Sequence, residues 1–313
     1  MIKRTIDISQ GPTFLSIEND QLVITREKQR IGQVPCEDIG VLLVDHVATT
    51  YTHSVFTRLV NFGAAIVLCG PNHLPVGMVM PMESNELTAR RMRLQASAPL
   101  PLRKRLWKQI VRQKVTLQAM NLPAESPMRN RLLAMAAEVK SGDASNVEGQ
   151  AARFYWPALF GKEFRRDPEG LPPNNLLNYG YTVLRSALAR ALVAAGLHPV
   201  FSLQHSHRNN AFALADDLLE VLRPRVDRAA LELVKQGAGL IDRESKEKLL
   251  GILAEEVTLG EQSGPLMVQL HRFAASLLRC YEGESQKLLM PEFTEKSGAN
   301  SQPADDSDAS IPE

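Results

Sequence analysis

Apolar and polar positions divide the chain into two regimes. Up to about Met82 the apolar residues come in short runs: Thr5-Ile6-Asp7-Ile8, Phe14-Leu15-Ser16-Ile17, Leu22-Val23-Ile24-Thr25 and Gly40-Val41-Leu42-Leu43-Val44, parted by turn residues such as Gly11-Pro12 and Asn19-Asp20. Such runs predict strands. Residues 52–61 read as one helix, and Ala64-Ala65-Ile66-Val67-Leu68 and Val76-Gly77-Met78-Val79-Met80 return to strand before Pro81 stops the pattern. From Asn85 the period turns helical, punctuated by Pro99-Leu100-Pro101, Pro123, Ser141-Gly142-Asp143, Pro172-Pro173, Gly196 and Pro224. Leu177, Tyr181, Leu184, Leu188 and Leu192 recur every three or four residues and stop at Gly196, which predicts a core helix with a glycine just past its end. After Glu295 apolar side chains are too few to offset the entropy of ordering. The expectation is an α+β chain: a small N-terminal β domain over 1–83, a larger and almost entirely α-helical domain over 84–295, and an acidic, disordered tail over 296–313.

At 313 residues the chain is long enough for two cores without structural disulfides or metal. Cys36, Cys69 and Cys280 are odd in number, lack CxxC spacing and sit mostly among apolar neighbours, which fits reduced packing thiols and a cytoplasmic protein. The N-terminus is charged where a signal peptide needs an apolar stretch, and no run approaches a membrane span. The formal net charge of +1 conceals an uneven distribution. Between Leu87 and Ala124 there is no Asp or Glu, while Arg90, Arg91, Arg93, Arg103, Lys104, Arg105, Lys108, Arg112 and Lys114 all fall inside. On helices Arg105, Lys108 and Arg112 share one face and Arg90 and Arg93 another. Acids from elsewhere in the fold could neutralise such faces. The complete local absence of acids instead favours a phosphate backbone as the partner, without naming a sequence.

Three polar features stand on or beside apolar faces. Glu148 lies in Ser145-Asn146-Val147-Glu148, where the S-x-x-E spacing also fits a capping box that merely satisfies a backbone amide. In the helical run from Phe212 to Leu222, ended by Arg223-Pro224, Leu214, Leu218 and Val221 form the inward stripe. Asp217 lies on that stripe and Glu220 three residues further on. Two inward carboxylates need a cation, which can be an arginine, a lysine or a metal. His205, in Leu203-Gln204-His205-Ser206-His207, is either a structural histidine, half of a zinc pair with His207, or a ligand beside those carboxylates.

Gly196-Leu197-His198-Pro199, His205 and Leu214-Ala215-Asp216-Asp217-Leu218-Leu219-Glu220-Val221-Leu222-Arg223-Pro224, together with the blocks from Glu148 to Trp156 and from Asn175 to Tyr181, resemble the CRISPR-associated adaptation integrase, the first of the Cas proteins. The similarity runs in order to about residue 285 and is nearest to the form that accompanies an RNA-guided, Cas nine type nuclease. Carried over residue by residue, the resemblance implies that Glu148, His205 and Glu220 ligate Mg²⁺ or Mn²⁺ and that Asp217 supports them. It implies a metal-dependent endonuclease and integrase of spacer acquisition, acting on double-stranded and branched DNA. It further implies a homodimer through the β domains, two dimers bridged by the small Cas two protein, and the RNA-guided nuclease of the same system as a further partner. His198 stands where relatives often have Asp or Asn, and Gln204 where close relatives can have a second histidine; neither touches the implied ligands. A non-catalytic DNA scaffold would leave inward Asp217 and Glu220 without a reason, and a zinc hydrolase of a small substrate would leave the basic run without one.

Overall fold

The computed structural model describes residues 3–71, 75–81, 87–167, 170, 172–205, 210–239 and 241–293. The expected boundary at 83/84, His207 and the expected tail lie outside the described residues. The first part holds β1 (Arg4–Ile8), β2 (Phe14–Glu18), β3 (Gln21–Arg26), β4 (Gln29–Pro35), β5 (Ile39–Val44), β6 (Thr50–Tyr51), α1 (His53–Asn61), β7 (Ala65–Cys69) and β8 (Pro75–Val79). It makes two four-stranded sheets, ordered β1-β5-β7-β8 and β4-β3-β2-β6. In the first sheet β1, β5 and β7 run parallel and β8 closes antiparallel.

The first sheet is buried on both faces, which explains the continuous apolar run of β5, buried along its whole length. Alternate side chains serve two cores. Ile8, Leu42, Val44 and Ile66 face the second sheet and Val55 and Leu59 of α1, whereas Val41, Leu43 and Val67 belong to the helical core. The helical part is therefore packed directly on the sheet. Lys246 donates to Asp45, just past β5, and Arg190 Nε donates 2.7 Å to the carbonyl of Gly63, so buried polar contacts cross the same seam.

The helical part comprises α2 (Thr88–Ala96), α3 (Leu100–Met120), α4 (Pro127–Glu138), α5 (Val147–Phe160), α6 (Asn174–Ala194), α7 (Ala213–Leu219), α8 (Arg223–Lys235), α9 (Arg243–Gly251), β9 (Glu256–Leu259), β10 (Gln262–Pro265), α10 (Leu266–Tyr281) and β11 (Glu292–Phe293). The expected core helix is α6, whose Leu177, Tyr181, Leu184, Leu188 and Leu192 are all buried, with Gly196 at φ +74° beyond its end. Two expectations change. The run ending at Arg223-Pro224 breaks earlier, at Leu219, and Arg223 and Pro224 begin α8, because a proline in the first turn of a helix loses no hydrogen bond. The helical part also carries a small sheet, β10-β9-β11, packed beside α10. Its strands are too short for a period to show. Among the described residues no helix is long and apolar enough to cross a membrane.

Gly180 lets α6 approach α8 and α9: a Cβ there would stand 2.5 Å from Val226 Cγ1 and 3.2 Å from Leu249 Cδ2. Gly180→Ala should therefore lose net stability by about 1–2 kcal/mol, because overpacking against a stiff valine outweighs the gain of about 1 kcal/mol in helix propensity. Gly251→Ala, where a Cβ meets open space, should gain about 0.5–1 kcal/mol. Denaturant midpoints of the two variants check this, and a stabilised Gly180→Ala protein would contradict the close helix contact.

Candidate active site

Glu148 reaches the site from the first turn of α5. The capping box suggested by Ser145 is not what fixes that turn: Asn146 Oδ1 accepts from Gly149 N at 3.1 Å, and the Asp143 carboxylate accepts from Val147 N at 2.8 Å and Glu148 N at 3.0 Å. Relieved of capping, the Glu148 carboxylate accepts from Lys114 Nζ at 2.6 Å. Glu220 lies in the break between α7 and α8, and its Oε2 is 2.5 Å from the same Nζ, while its Oε1 is 3.0 Å from Arg223 Nε. Both Glu220 contacts are close ion pairs whose angles depart from those of an ordinary hydrogen bond. The inward orientation expected of Glu220 and Asp217 holds, with exposures of 6% and 0%.

Lys114 is a correction. Counted with the solvent-facing basic stretch, it is instead buried in the middle of α3, and acids from elsewhere in the fold do neutralise it. Burial pushes its ammonium down, but Glu220 and Glu148 push it up further, leaving it above the ordinary lysine value. Burial likewise raises the Glu220 carboxyl, while Arg223 and Lys114 together pull it below the usual carboxylate range. The sequence does carry a signal for Lys114, since Trp107, Ile110, Val111, Val115 and Ala119 set an apolar helical stripe on which position 114 also falls.

Asp217 does not face Lys114. Its Oδ2 accepts from Leu203 N at 2.6 Å and Gln204 N at 2.9 Å, and its Oδ1 from His205 N at 3.3 Å and His205 Nδ1 at 2.6 Å. One buried carboxylate thus fixes the backbone of Leu203, Gln204 and His205 and turns the imidazole, leaving Nε2 as the ring nitrogen available for another partner. The hydrogen bond to Asp217 raises His205, outweighing partial burial, and the Glu148 and Glu220 charges add to it. Trp107 stands edge-on to the ring at 5.0 Å.

The wider basic stretch divides by exposure. Arg90, Arg93, Lys104 and Arg112 are exposed and Arg105 and Lys108 half-buried. Arg91 donates 3.0 Å to the carbonyl of Ala195, and Arg103 donates 3.1 Å to that of Leu203, beside the His205 loop. Arg91 thus holds the end of α6 and Arg103 the backbone two residues before His205.

Among the described residues no three His, Cys, Asp or Glu groups form a ready-made cage for a metal ion, because Lys114 stands between Glu148 and Glu220. The donor set nevertheless fits a hard divalent cation: two carboxylates already gathered around one positive charge, and an imidazole held by a carboxylate on its far nitrogen.

A buried cluster with no local signature in the sequence holds the helices together behind the site. Tyr155 of α5 donates to Asp227 Oδ2 at 2.9 Å, and Tyr181 of α6 donates to Oδ1. Asn121, after α3, donates to Tyr155 Oη at 2.8 Å and to the carbonyl of Pro224 at 2.7 Å. The Arg223 guanidinium lies over the Tyr181 ring at 4.7 Å. The helices that carry Lys114, Glu148 and Arg223 are thereby tied to one another.

Burial pushes the Asp227 carboxyl up to about 6, against the pull of both tyrosine hydroxyls. Folding favours its protonated form, so its contribution to stability is fully present below the unfolded value near 4 and is lost as pH rises through about 6. Wild type minus Asp227→Asn should fall by an order of 2 kcal/mol across that window, measured by denaturant unfolding. The lost hydroxyl acceptor adds only a constant offset; a flat difference would contradict a buried, titrating Asp227.

The family model described as CRISPR associated protein Cas1 matches residues 7–256. The chain is 33% identical over 298 residues to a CRISPR-associated endonuclease Cas1 of Neisseria meningitidis serogroup C (strain 8013), covering 94% of this chain and 97% of the relative. By structure it is similar to a casposase bound to integration product, with a TM-score of 0.74, 19% identity and 92% of each chain covered. It is also similar to a chain of a Cas6-RT-Cas1–Cas2 complex, with a TM-score of 0.74, 18% identity, and 92% of this chain but 36% of that longer one covered. The family match runs from β1 to the start of β9 and includes Glu148, His205 and Glu220, and the chain belongs to the Cas1 family of CRISPR-associated endonucleases.

Proposed function

We propose that this protein is the metal-dependent integrase of CRISPR spacer acquisition, joining 3′-hydroxyl ends of short DNA fragments into the repeat array by transesterification and cutting branched DNA by the same chemistry. The observation that carries this reading is the convergence of Glu148 and Glu220 on one buried positive charge, with His205 oriented beside them by Asp217. The endonuclease name of the Neisseria relative and the product-bound casposase support it. The Cas1–Cas2 complex supports a Cas2 partner, and we extend the reading to a homodimer through the β part that acts with Cas2 in the cytoplasm.

Glu148, Glu220 and His205 Nε2 would hold Mg²⁺ or Mn²⁺. Such an ion, when bound, polarises a phosphoryl oxygen and offsets charge that builds up during in-line displacement. The protein contributes position. Asp217 fixes the imidazole, the Asp143 and Asn146 caps fix the first turn of α5, and Arg223 pairs with the Glu220 oxygen that Lys114 leaves free. Exposed Arg90, Arg93, Lys104 and Arg112, with half-buried Arg105 and Lys108, would grip the phosphate backbone and set its register without reading bases. The nucleophile decides the product: a 3′-hydroxyl gives integration and water gives hydrolysis.

Glu148→Gln, His205→Ala and Glu220→Ala should each fold, bind DNA nearly as wild type and lose strand transfer in Mn²⁺. Asp217→Asn should cost less, about 10–100-fold, as expected for a group that orients a ligand. Because Glu148 does not cap its helix, near-normal integration by Glu148→Gln would overturn the assignment. The DNA-binding reading is checked separately. Reversing Lys108 and Arg112 to Glu should weaken DNA affinity and reduce its salt slope by about 2, roughly one counterion for each lost phosphate contact. An unchanged affinity and slope would make this face merely solvated.

A further inference from the structure

Position 114 is the wrong place for a lysine if only packing mattered. It lies on the buried face of α3 with Trp107, Ile110, Val111, Val115 and Ala119, and its exposure is 8%. An ammonium there loses its water and is tolerated only where anionic groups replace that water. Glu148 and Glu220 are those groups, at 2.6 and 2.5 Å. With Arg223 against Glu220, the four charges balance, so the carboxylates are neutralised without any ion. The balance is geometrically imperfect, because the ammonium meets Glu220 Oε2 at an angle poor for a hydrogen bond. A divalent cation reaching for these two carboxylates would arrive against a positive charge already between them, in surroundings that screen poorly.

We infer that Lys114 is the resident counter-cation of the site, a positioning residue that holds Glu148 and Glu220 together before the divalent ion arrives and competes with that ion for them. This rests on the reading of Glu148, His205 and Glu220 as metal ligands and adds what the chain does in the ion's absence. Two facing carboxylates, Glu220 buried and Glu148 partly buried, left without a cation would repel each other and open the site, so Lys114 preserves its shape at the cost of metal affinity. The lysine must leave the space between the carboxylates when the ion binds, which couples metal loading to a movement of one side chain on α3.

The experiment titrates Mn²⁺ calorimetrically into the full-length wild type, Lys114→Met and Glu148→Gln, and compares melting temperatures in EDTA and in Mn²⁺. Lys114→Met should bind Mn²⁺ at least about tenfold more tightly than wild type, a gain of about 1.4 kcal/mol. It should melt lower in EDTA and show the larger rise on adding Mn²⁺. A lysine that only packs would lower the melting temperature equally in both buffers, and unchanged or weaker Mn²⁺ affinity overturns the inference. Equal Mn²⁺ affinity of wild type and Glu148→Gln instead overturns the underlying ligand assignment, whatever Lys114→Met does. If Lys114→Met folds only with Mn²⁺ present, the ion has replaced the lysine's charge and the inference stands. If neither Lys114→Met nor Lys114→Gln folds even in Mn²⁺, the inference fails.

Discussion

Two carboxylates facing one another, Glu220 buried and Glu148 partly so, need a cation between them, and much of the helical part is arranged around that requirement. Glu148 comes from α5, Glu220 from the break between α7 and α8, and the ammonium of Lys114 from the middle of α3, so three distant stretches of sequence meet at one charge. Uncompensated, the buried Glu220 carboxylate would cost several kcal/mol, enough to matter against the marginal stability of a domain. Arg223 adds a second positive group to Glu220, and the Asn121, Tyr155, Tyr181 and Asp227 cluster locks the converging helices behind it. Position is thus secured by groups that need touch neither metal nor DNA.

A second buried carboxylate does different work. Asp217 commits its oxygens to three backbone amides and one imidazole nitrogen, so the same group that holds the backbone from Leu203 to His205 also selects the free nitrogen of His205. Loop order and ligand orientation are therefore one interaction. The β part enters through packing: Val41, Leu43 and Val67 complete the helical core, which makes the sheet a floor under α6 and not a detachable module. A disturbance in that sheet can reach the site through α6, whose buried face carries Tyr181 into the Asp227 cluster.

The long periodic elements are legible in the sequence because burial imposes a period on them. The stripe of α6 shows in its own leucines, and the inward direction of Asp217 and Glu220 follows from the spacing of Leu214, Leu218 and Val221. Strand β4, Gln29–Pro35, is not legible, since it lies half in solvent and its side chains need not alternate strictly. The sheet of β9, β10 and β11 escapes notice because four-residue strands carry almost no period. Glu148 is ambiguous, as spacing alone cannot tell a capping carboxylate from one aimed inward, and only the nearby Asp143 and Asn146 caps resolve it. Lys114 misleads for a related reason: charge density along the chain outweighs the helical position of a single residue, although the position is the better guide. The Asp227 cluster has no local signature, being assembled from α5, α6 and α8 with Asn121.

The account stands on Glu148, Glu220 and His205 forming one divalent site from which Lys114 is displaced. Anomalous diffraction from crystals grown with Mn²⁺ tests this most directly. A single strong peak within bonding distance of a Glu148 oxygen, a Glu220 oxygen and His205 Nε2, with the Lys114 ammonium moved out from between the carboxylates, is the predicted result. A protein saturated with Mn²⁺ that shows no peak there, with Lys114 still bridging Glu148 and Glu220, would contradict it.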